Sequence, residues 1–199
     1  MKEYRVQHLT TFTSWEDINE ITDFTAPWSK LEAPKTTFNA YILNGSIYFR
    51  FKAFGPRPLI YIESNHKLEV RYSERVEIFF RSSEEMCPYY CLEMDPHSRL
   101  LDYKADFYRK FDREWQWPEP LNIKTAIQDA FYILEGEISL AVLRNLNLIH
   151  DSQIQIGLYR GHCTQLQDDK AEINWITWVD PEISEADFHI PSSFGLFNI

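Results

Sequence analysis

The sequence has few cysteines and no long apolar run, and both absences limit what it can be. Its three cysteines, Cys87, Cys91 and Cys163, show no CxxC spacing, so they predict neither a disulfide framework nor a zinc site. Cys87 and Cys91 would lie about 13 Å apart on an extended strand, too far to bridge, and we expect all three thiols to be small buried hydrophobic groups. No window approaches the roughly 18 apolar residues of a membrane span, and the first residues lack a signal-peptide core. We therefore expect no membrane partner and a cytoplasmic location, or a periplasmic or secreted one if the sequence is a trimmed piece.

Basic residues are also scarce. There are 20 Lys and Arg residues against 30 Asp and Glu, which gives a formal net charge of −10. Nucleic-acid binding depends on neutralising phosphates, so this balance predicts no nucleic-acid partner, and it disfavours an anionic membrane surface equally. A neutral or cationic small ligand suits the charge better. The sequence makes no prediction of the oligomeric state.

Sequence motifs of common catalytic sites are absent as well. The chain has no GxSxG, HExxH, P-loop or GxGxxG motif, and its six histidines show no metal-ligand spacing. His162 and Cys163 are neighbours, but neighbours on a strand point to opposite faces and do not form a Cys–His nucleophile. Acids near turns, such as Asp95, Asp102 and Asp180, could ligate calcium, although exposed acidic loops usually do not. We expect no cofactor and no metal at the functional site, with structural calcium as the one open possibility.

Aromatic residues are abundant, at 16% of the chain, and they occur in strand-like patterns. The clearest is a hairpin in which segments 37–43 and 46–54 flank Asn44-Gly45, the pair that favours a type I′ turn. Alternation in the second strand puts one set of apolar side chains on a single face. That set is Ile47, Phe49, Phe51 and Ala53.

Turn signals recur along the rest of the chain and predict about ten strands in one domain, residues 1–199. The further predicted strands are 59–63, 68–80, 88–95, 100–105, 131–135, 153–162, 173–180 and 188–199. Helix is predicted only after Ser14, which resembles an N-cap, and over 139–146, where apolar residues have helical spacing. Many short strands without βαβ units predict an all-β sandwich or jelly roll.

Charged residues within the most apolar strand are the first candidates for a functional site. Arg75 and Glu77 alternate with Val76 and Ile78, so they share one sheet face. Both side chains are costly to bury unless they are paired or used. They could hydrogen-bond a polyol, or they could form a structural ion pair.

Three aromatic groups are the second set of candidates, because flat rings either stack on the C–H faces of sugars or fill the core. Trp115 and Trp117 lie in a proline-bounded loop, and Trp175 and Trp178 flank a strand end. The third group interleaves rings with cations. It consists of Tyr103, Phe107, Tyr108 and Phe111 with Lys104, Arg109 and Lys110.

Four segments resemble the family 9 carbohydrate-binding modules, and especially the stand-alone proteins of this type in bacteria that degrade polysaccharides. They are YSERVEIFF at 72–80, YYCLEMDP at 89–96, GLYR at 157–160 and the closing stretch 175–194. The similarity extends from Trp15 to the end of the chain. It implies a distorted jelly-roll β-sandwich and non-catalytic binding of a plant-type glycan or its terminal sugars, such as xylan fragments, linked to carbohydrate catabolism. Some members also carry structural calcium.

The resemblance also implies roles for individual residues. Glu77 matches the family's sugar-binding acid, Tyr72 is the only ring available for the first side of the aromatic clamp, and Trp178 or Trp175 would supply the second. The family's arginine on the following strand has no counterpart beside Tyr90, so Arg109 or Arg160 would replace it. Together with the residue patterns, this predicts a carbohydrate-binding set. The set is Tyr72, Arg75, Glu77, Tyr90, Tyr103, Arg109, Trp115, Trp117, Arg160 and Trp178.

Two other functions are open at this point. A xylanase-like glycoside hydrolase acting on O-glycosyl bonds would need two carboxylates across a cleft, for example Glu77 with Glu93 or Asp102. An interaction domain with a decayed sugar site would instead bury its tryptophans in the core and have no open aromatic cleft.

Overall fold

The structure is a computed structural model that describes residues 1–30, 32–112 and 114–199. These residues form fourteen strands and little helix, which confirms the predicted β-sandwich. None of the described helices is long and apolar enough to cross a bilayer. The strands are β1 Glu3–Arg5, β2 Gln7–His8, β3 Glu20–Ile21, β4 Thr36–Leu43, β5 Ser46–Phe54, β6 Arg75–Arg81, β7 Tyr89–Met94, β8 Leu100–Ala105, β9 Phe111–Asp112, β10 Lys124–Ile127, β11 Phe131–Ser139, β12 Gln153–Gln167, β13 Lys170–Thr177 and β14 Gly195–Asn198. The helices are α1 Leu140–Asn145 and three 3₁₀ segments, Trp15–Asp17, Lys67–Tyr72 and Pro191–Ser193.

The strands make two sheets. Sheet A has the order β1-β14-β12-β6-β7-β8-β9, with β13 also paired to β12. Sheet B has the order β10-β11-β5-β4-β2, with β3 also paired to β4. Most neighbours are antiparallel, and the pairs β1–β14 and β2–β4 are parallel.

The main core lies between the two sheets because the strands alternate as the sequence predicts. In β6, Val76 and Ile78 point inward, and the inward face of β5 meets them with Phe49 and Phe51. Full burial of each such side chain contributes about 1.5–3 kcal/mol. A second, smaller apolar cluster covers the outer face of sheet A. Its rings include Phe79, Tyr89, Tyr103, Tyr159 and Phe188.

The predicted hairpin is present as β4 and β5. Asn44 and Gly45 have φ values of 50° and 84°, the positive angles that a type I′ turn requires. Leu43 pairs with Ser46 across the turn, so the register starts at the turn itself. Both predicted helices are also present, capped by the side chains of Ser14 and Ser139.

The predicted strand at 59–63 is wrong, and the first part of the predicted strand at 68–80 is the 3₁₀ segment Lys67–Tyr72. The buried carboxylate of Glu69 explains both differences. It accepts hydrogen bonds from the backbone N–H groups of residues 63, 64 and 65, and it is paired with Arg99 at 3.0 Å. These local side-chain bonds replace a strand ladder.

The C-terminal prediction also needs correction. Only Gly195–Asn198 of the predicted strand 188–199 is a strand, and the residues before it cross the outer face of sheet A. Pro191, within the predicted range, lacks the N–H that a ladder needs. Phe188 anchors the crossing segment by stacking on Tyr159, with ring centroids 4.3 Å apart. Of the cysteines, Cys87 is exposed, contrary to the prediction.

A buried ion pair joins the two sheets at one end of the main core. Arg160 of β12 is 2% exposed, and its Nε donates to Glu74 Oε1 at 2.7 Å. Its Nη1 donates to Phe54 O at 2.9 Å and to Thr36 Oγ1 at 3.2 Å, both in sheet B. Burial would raise the pKa of Glu74, but the charges and hydrogen bonds of Arg160 and His162 together outweigh it, and the pKa is lowered. Arg160 therefore holds the sandwich together.

Replacing Arg160 should test this cross-link. Arg160→Met should lower the free energy of unfolding by about 3–5 kcal/mol, because Glu74 would remain buried without its cationic partner. Urea denaturation followed by tryptophan fluorescence measures the change. Arg57→Met, which removes an exposed arginine, is the matched control and should change stability by less than about 0.5 kcal/mol. Equal stability of the two variants would contradict a structural role for Arg160.

Candidate functional site

A cavity of about 270 Å³ lies on the outer face of sheet A, beneath the segment 186–189. Strands β6, β7, β8 and β13 supply its floor and sides, and the crossing segment forms a wall. The lining residues are Arg75, Glu77, Glu93, Tyr103, Arg109, Trp175, Ala186, Asp187, Phe188 and His189.

Arg75 holds two carboxylates together on the cavity floor. Glu77 and Glu93 are directly opposite each other on β6 and β7. Nε of Arg75 lies 2.7 Å from Glu77 Oε1 and 2.8 Å from Glu93 Oε2. Its Nη1 donates to the carbonyl oxygens of Arg71 at 2.9 Å and Ser73 at 3.2 Å, which fixes the guanidinium plane. The floor thus carries one cation and two acids.

The two acids do not both ionise readily. Burial raises the pKa of Glu77 to about 8, the charge of Glu93 adds to the rise, and Arg75 opposes it. Burial also raises the pKa of Glu93. The single Nε hydrogen of Arg75 is donated to Glu77, and Glu93 Oε2 has no hydrogen-bond donor among the described residues. The raised pKa values favour protonation of this pair, so the floor offers a hydrogen-bond donor as well as acceptors.

Trp175 forms an aromatic side of the cavity, and Gly161 lets it approach the floor. Gly161 pairs with Arg75 on β6 and with Trp175 on β13. A Cβ atom at Gly161 would lie 3.1 Å from the indole and 3.2 Å from Arg75 Nη1, so a larger residue would push them apart. The guanidinium of Arg75 lies 4.8 Å from the indole centroid. Phe188 meets the same indole edge-on at 4.8 Å.

His189 contributes a neutral imidazole to the opposite wall. Burial lowers its pKa to about 4, and the positive charge of Arg109 lowers it further. Its Nδ1 lies 2.9 Å from the hydroxyl of Tyr89, which itself accepts from the Arg109 backbone N–H at 3.3 Å. When the Tyr89 hydroxyl donates its hydrogen to Nδ1, the imidazole proton lies on Nε2.

A partly exposed ion pair forms the rim. Arg109 Nη2 lies 3.1 Å from Asp187 Oδ1, and Tyr108 donates to Asp187 Oδ2 at 2.6 Å. A second cavity of about 140 Å³ adjoins the first and shares Glu93, Tyr103 and His189 with it. The cavity therefore continues as a shallow groove. Its other lining residues are Leu68, Arg71, Leu101 and Phe111.

The structure brings four predicted site residues together around this cavity: Arg75, Glu77, Tyr103 and Arg109. The first three lie on β6 and β8, which flank β7 in sheet A, and alternation turns their side chains to the outer face. Arg109 lies in the loop between β8 and β9.

The other six predicted residues lie elsewhere. Tyr90, Trp117 and Trp178 pack in the core between the sheets, because alternation turns Tyr90 inward and Trp178 packs against Phe197. Their burial corrects the prediction that these rings are available for stacking. Arg160 belongs to the inter-sheet ion pair, also contrary to prediction. Trp115 packs against Tyr90 at 5.1 Å, and Tyr72 packs edge-on against Tyr61 at 5.5 Å.

Several cavity residues were not in the predicted set. Glu93 was considered only as half of a catalytic pair, and Trp175 only as an alternative clamp ring. Both could be found by pairing the predicted strands. Alternation along β7 puts Glu93 on the same face as Cys91, which is the outer face of sheet A. Asp187 and His189 carried no such signal, because His189 was assigned to the predicted strand 188–199 and Asp187 lies just before it. Its path depends on the packing of Phe188.

Three donor groups at the cavity floor are close enough to suggest a metal ion. The ligand atoms of Glu77, Cys91 and Glu93 lie within 4.8 Å of one another. They do not fit a cation, because the guanidinium of Arg75 already contacts both carboxylates and burial raises the pKa of the Cys91 thiol. Structural calcium elsewhere stays a prediction. Two acids considered for it are paired with cations, Asp95 with Arg99 and Asp102 with Lys67.

Comparisons with known proteins point to one fold. No protein-family model matches the chain, and no curated protein sequence matches it. The structure of a proposed carbohydrate-binding protein from Bacteroides uniformis matches over 98% of both chains, with a TM-score of 0.72 and 14% identity. A family 9 carbohydrate-binding module from Caldicellulosiruptor kristjanssonii in complex with glucose matches over 99% of this chain and 95% of its own, with a TM-score of 0.61 and 14% identity. The same kind of module in complex with cellotriose has a TM-score of 0.63 at 13% identity, over 99% of this chain and 93% of its own. The chain therefore has the β-sandwich fold of the family 9 carbohydrate-binding modules.

Proposed function

We propose that this chain is a non-catalytic carbohydrate-binding module that holds a sugar in the cavity of sheet A. The observation that carries the proposal is the cavity itself, in which the Trp175 indole stands beside a floor of Arg75, Glu77 and Glu93. Apolar C–H faces of a pyranose would meet the indole. Its hydroxyls would meet the charged floor, where hydrogen bonds to ionised groups are about twice as strong as neutral ones.

Size and charge support a small, neutral ligand. The cavity, at about 270 Å³, falls just below the range of about 300–1,000 Å³ usual for drug-sized ligands. The floor holds both a cation and acids, so an uncharged molecule with many hydroxyls finds donors and acceptors without an unpaired charge. We propose a terminal sugar of a plant-type glycan, including glucan or xylan fragments met during carbohydrate catabolism. Glucose and cellotriose in the similar modules support this choice.

Catalysis on the cavity floor is disfavoured by the position of the two acids. A glycosidase places its carboxyl groups on either side of the scissile bond, with a gap for the sugar or for water. Glu77 and Glu93 instead lie side by side on one sheet face, bridged by the same Arg75 nitrogen. No sugar fits between them, and the pair is suited to hydrogen bonding.

Substitution of Trp175 tests the proposal directly. Trp175→Ala should weaken binding of glucose or cellotriose at least tenfold, which corresponds to about 1.4 kcal/mol, because the stacking surface is lost. Isothermal titration calorimetry with glucose, cellotriose and xylotriose measures the affinities.

The matched control is Tyr72→Ala. The ring of Tyr72 packs against Tyr61 outside the cavity, so its loss should leave the affinity unchanged. If Tyr72→Ala abolishes binding and Trp175→Ala does not, the sugar is held elsewhere. Release of reducing sugar from xylan or aryl glycosides, removed by Glu77→Gln, would contradict a non-catalytic function.

The raised pKa of Glu77 predicts a pH-dependent stability. The folded chain keeps a proton on this acid up to about pH 8, whereas an unfolded Glu loses it near pH 4.3. The stability that the folded chain gains from keeping this carboxyl protonated is therefore fully present below about pH 4.3 and is lost as pH rises towards 8. The free energy of unfolding should accordingly fall between pH 6.5 and 8, by at most about 1.4 kcal/mol per pH unit.

Urea denaturation of wild type and Glu77→Gln across this window measures the effect. The variant should have the flatter profile, because its amide does not titrate. His189, whose pKa is lowered to about 4 in the fold, takes up a proton on unfolding near pH 6.5. It does so in both proteins, so the difference between the two profiles comes from Glu77. Identical slopes for the two proteins would show that Glu77 is ionised in the fold.

A further inference from the structure

A second groove lies on the outer face of sheet B, on the other side of the main core from the cavity of sheet A. It consists of two adjoining cavities of about 130 and about 280 Å³ that share Asn122 and Glu137. One cavity is lined by rings and the other by polar side chains. The remaining lining residues are Phe12, Trp15, Tyr41, Tyr48, Lys124, Glu135 and Gly136 in the first, and Ser46, Trp117, Glu119, Pro120, Leu121 and Ser139 in the second.

The aromatic part of this groove is built on the solvent side of β4 and β5. Tyr41 is stacked between Phe12, with ring centroids 4.7 Å apart, and Tyr48, at 5.1 Å. Trp15 lies beside the same ring at 5.1 Å. Tyr41 is buried by this stack, whereas the other three rings are partly exposed. These rings do not belong to the main core, which is filled from the opposite face of the same strands.

Polar groups stand next to the rings and carry charges of both signs. Glu137 is opposite Tyr48 in the register of β11 and β5, and it accepts the Tyr48 hydroxyl hydrogen at 3.1 Å. Lys124 is opposite Glu135 on the next pair of strands. A ligand with many uncharged hydroxyls finds donors and acceptors here. A polyanion would instead be repelled by Glu135 and Glu137, and a polycation by Lys124.

A protein partner suits this groove less well. The buried centre of a protein–protein interface is depleted of charged residues, and a stable interface needs about 1,000 Å² or more. Here Glu137 stands at the centre, where the two cavities meet. The combination of exposed rings, an amide and mixed charges is the chemistry proposed for the cavity of sheet A, in a longer and more open form.

We propose that this groove is a second carbohydrate-binding site, for an internal stretch of a neutral, linear glycan. Two adjoining cavities accommodate several consecutive sugar units, with stacking on Trp15 and Tyr48 and hydroxyl contacts to Glu137 and Asn122. The site is independent of the cavity of sheet A. A chain with both sites binds a polysaccharide at two points, which raises its avidity for polymers above its affinity for short sugars.

Two variants test the groove separately from the cavity. Trp15→Ala removes a ring, and Glu137→Gln keeps the size of the side chain while removing its charge, so it remains informative if Trp15→Ala folds poorly. Affinity gel electrophoresis in hydroxyethyl cellulose or soluble arabinoxylan measures polymer binding, and calorimetry with cellotriose measures the cavity. Each groove variant should weaken polymer binding about tenfold while cellotriose binding in the cavity of sheet A is unchanged.

The background variant Trp175→Ala separates the two sites. It should lose cellotriose binding in the cavity but retain some retardation by the polymer, and adding Trp15→Ala should abolish this remainder. Tyr61→Ala, which removes a ring outside both sites, should behave as wild type. If the groove variants show no groove binding while the cavity still binds cellotriose, the proposed function stands. If the cavity does not bind cellotriose, the proposal for the groove still stands.

Three results would overturn the second site. One is unchanged polymer retardation in both Trp15→Ala and Glu137→Gln. Another is complete loss of retardation in Trp175→Ala alone, which would place all binding in the cavity of sheet A. The third is a wild-type dimer in sedimentation velocity that Trp15→Ala converts to a monomer, which would assign the groove to a second copy of the chain.

Discussion

Two arginines buried beside carboxylates, on opposite faces of the β6–β12 pair, organise this structure. Burying a charge costs several kcal/mol unless a partner of opposite charge is buried with it. Arg160 meets Glu74 between the sheets, while Arg75 meets Glu77 and Glu93 on the outer face of sheet A. Because Glu74 and Arg75 are adjacent on an extended chain, one pair joins the sheets and the other forms the floor of a cavity.

The outer face of sheet A becomes a site because it is covered incompletely. Phe188 packs on Tyr159 and seals one part of the face, while the residues on either side of Phe188 leave the charged floor open beneath them. The same packing holds Trp175 and His189 in place. The apolar cluster outside the sheet therefore positions the cavity walls, in the way that the main core positions the strands.

Much of the fold was predictable from local patterns. The β4–β5 hairpin, the two faces of β6 and the two short helices depend on neighbouring residues, and all were found. The strand at 59–63 was wrong because Glu69 organises its loop through side-chain bonds, which alternation does not reveal. Tyr90 and Trp178 were misassigned because an aromatic residue has the same composition whether it fills the core or faces a ligand.

What the sequence by itself determined is the period-two alternation that sets Arg75 and Glu77 on one face, the turns that limit the strands, and the resemblance in fold. Only the tertiary structure decided which groups meet them. Glu93 and Trp175 reach Arg75 through strand pairing, and Gly161 between them leaves room for the contact. Such encounters depend on register and sheet order, which arise from the packing of the whole core. That is why the strand with the acid could be identified from sequence, whereas the cavity around it could not.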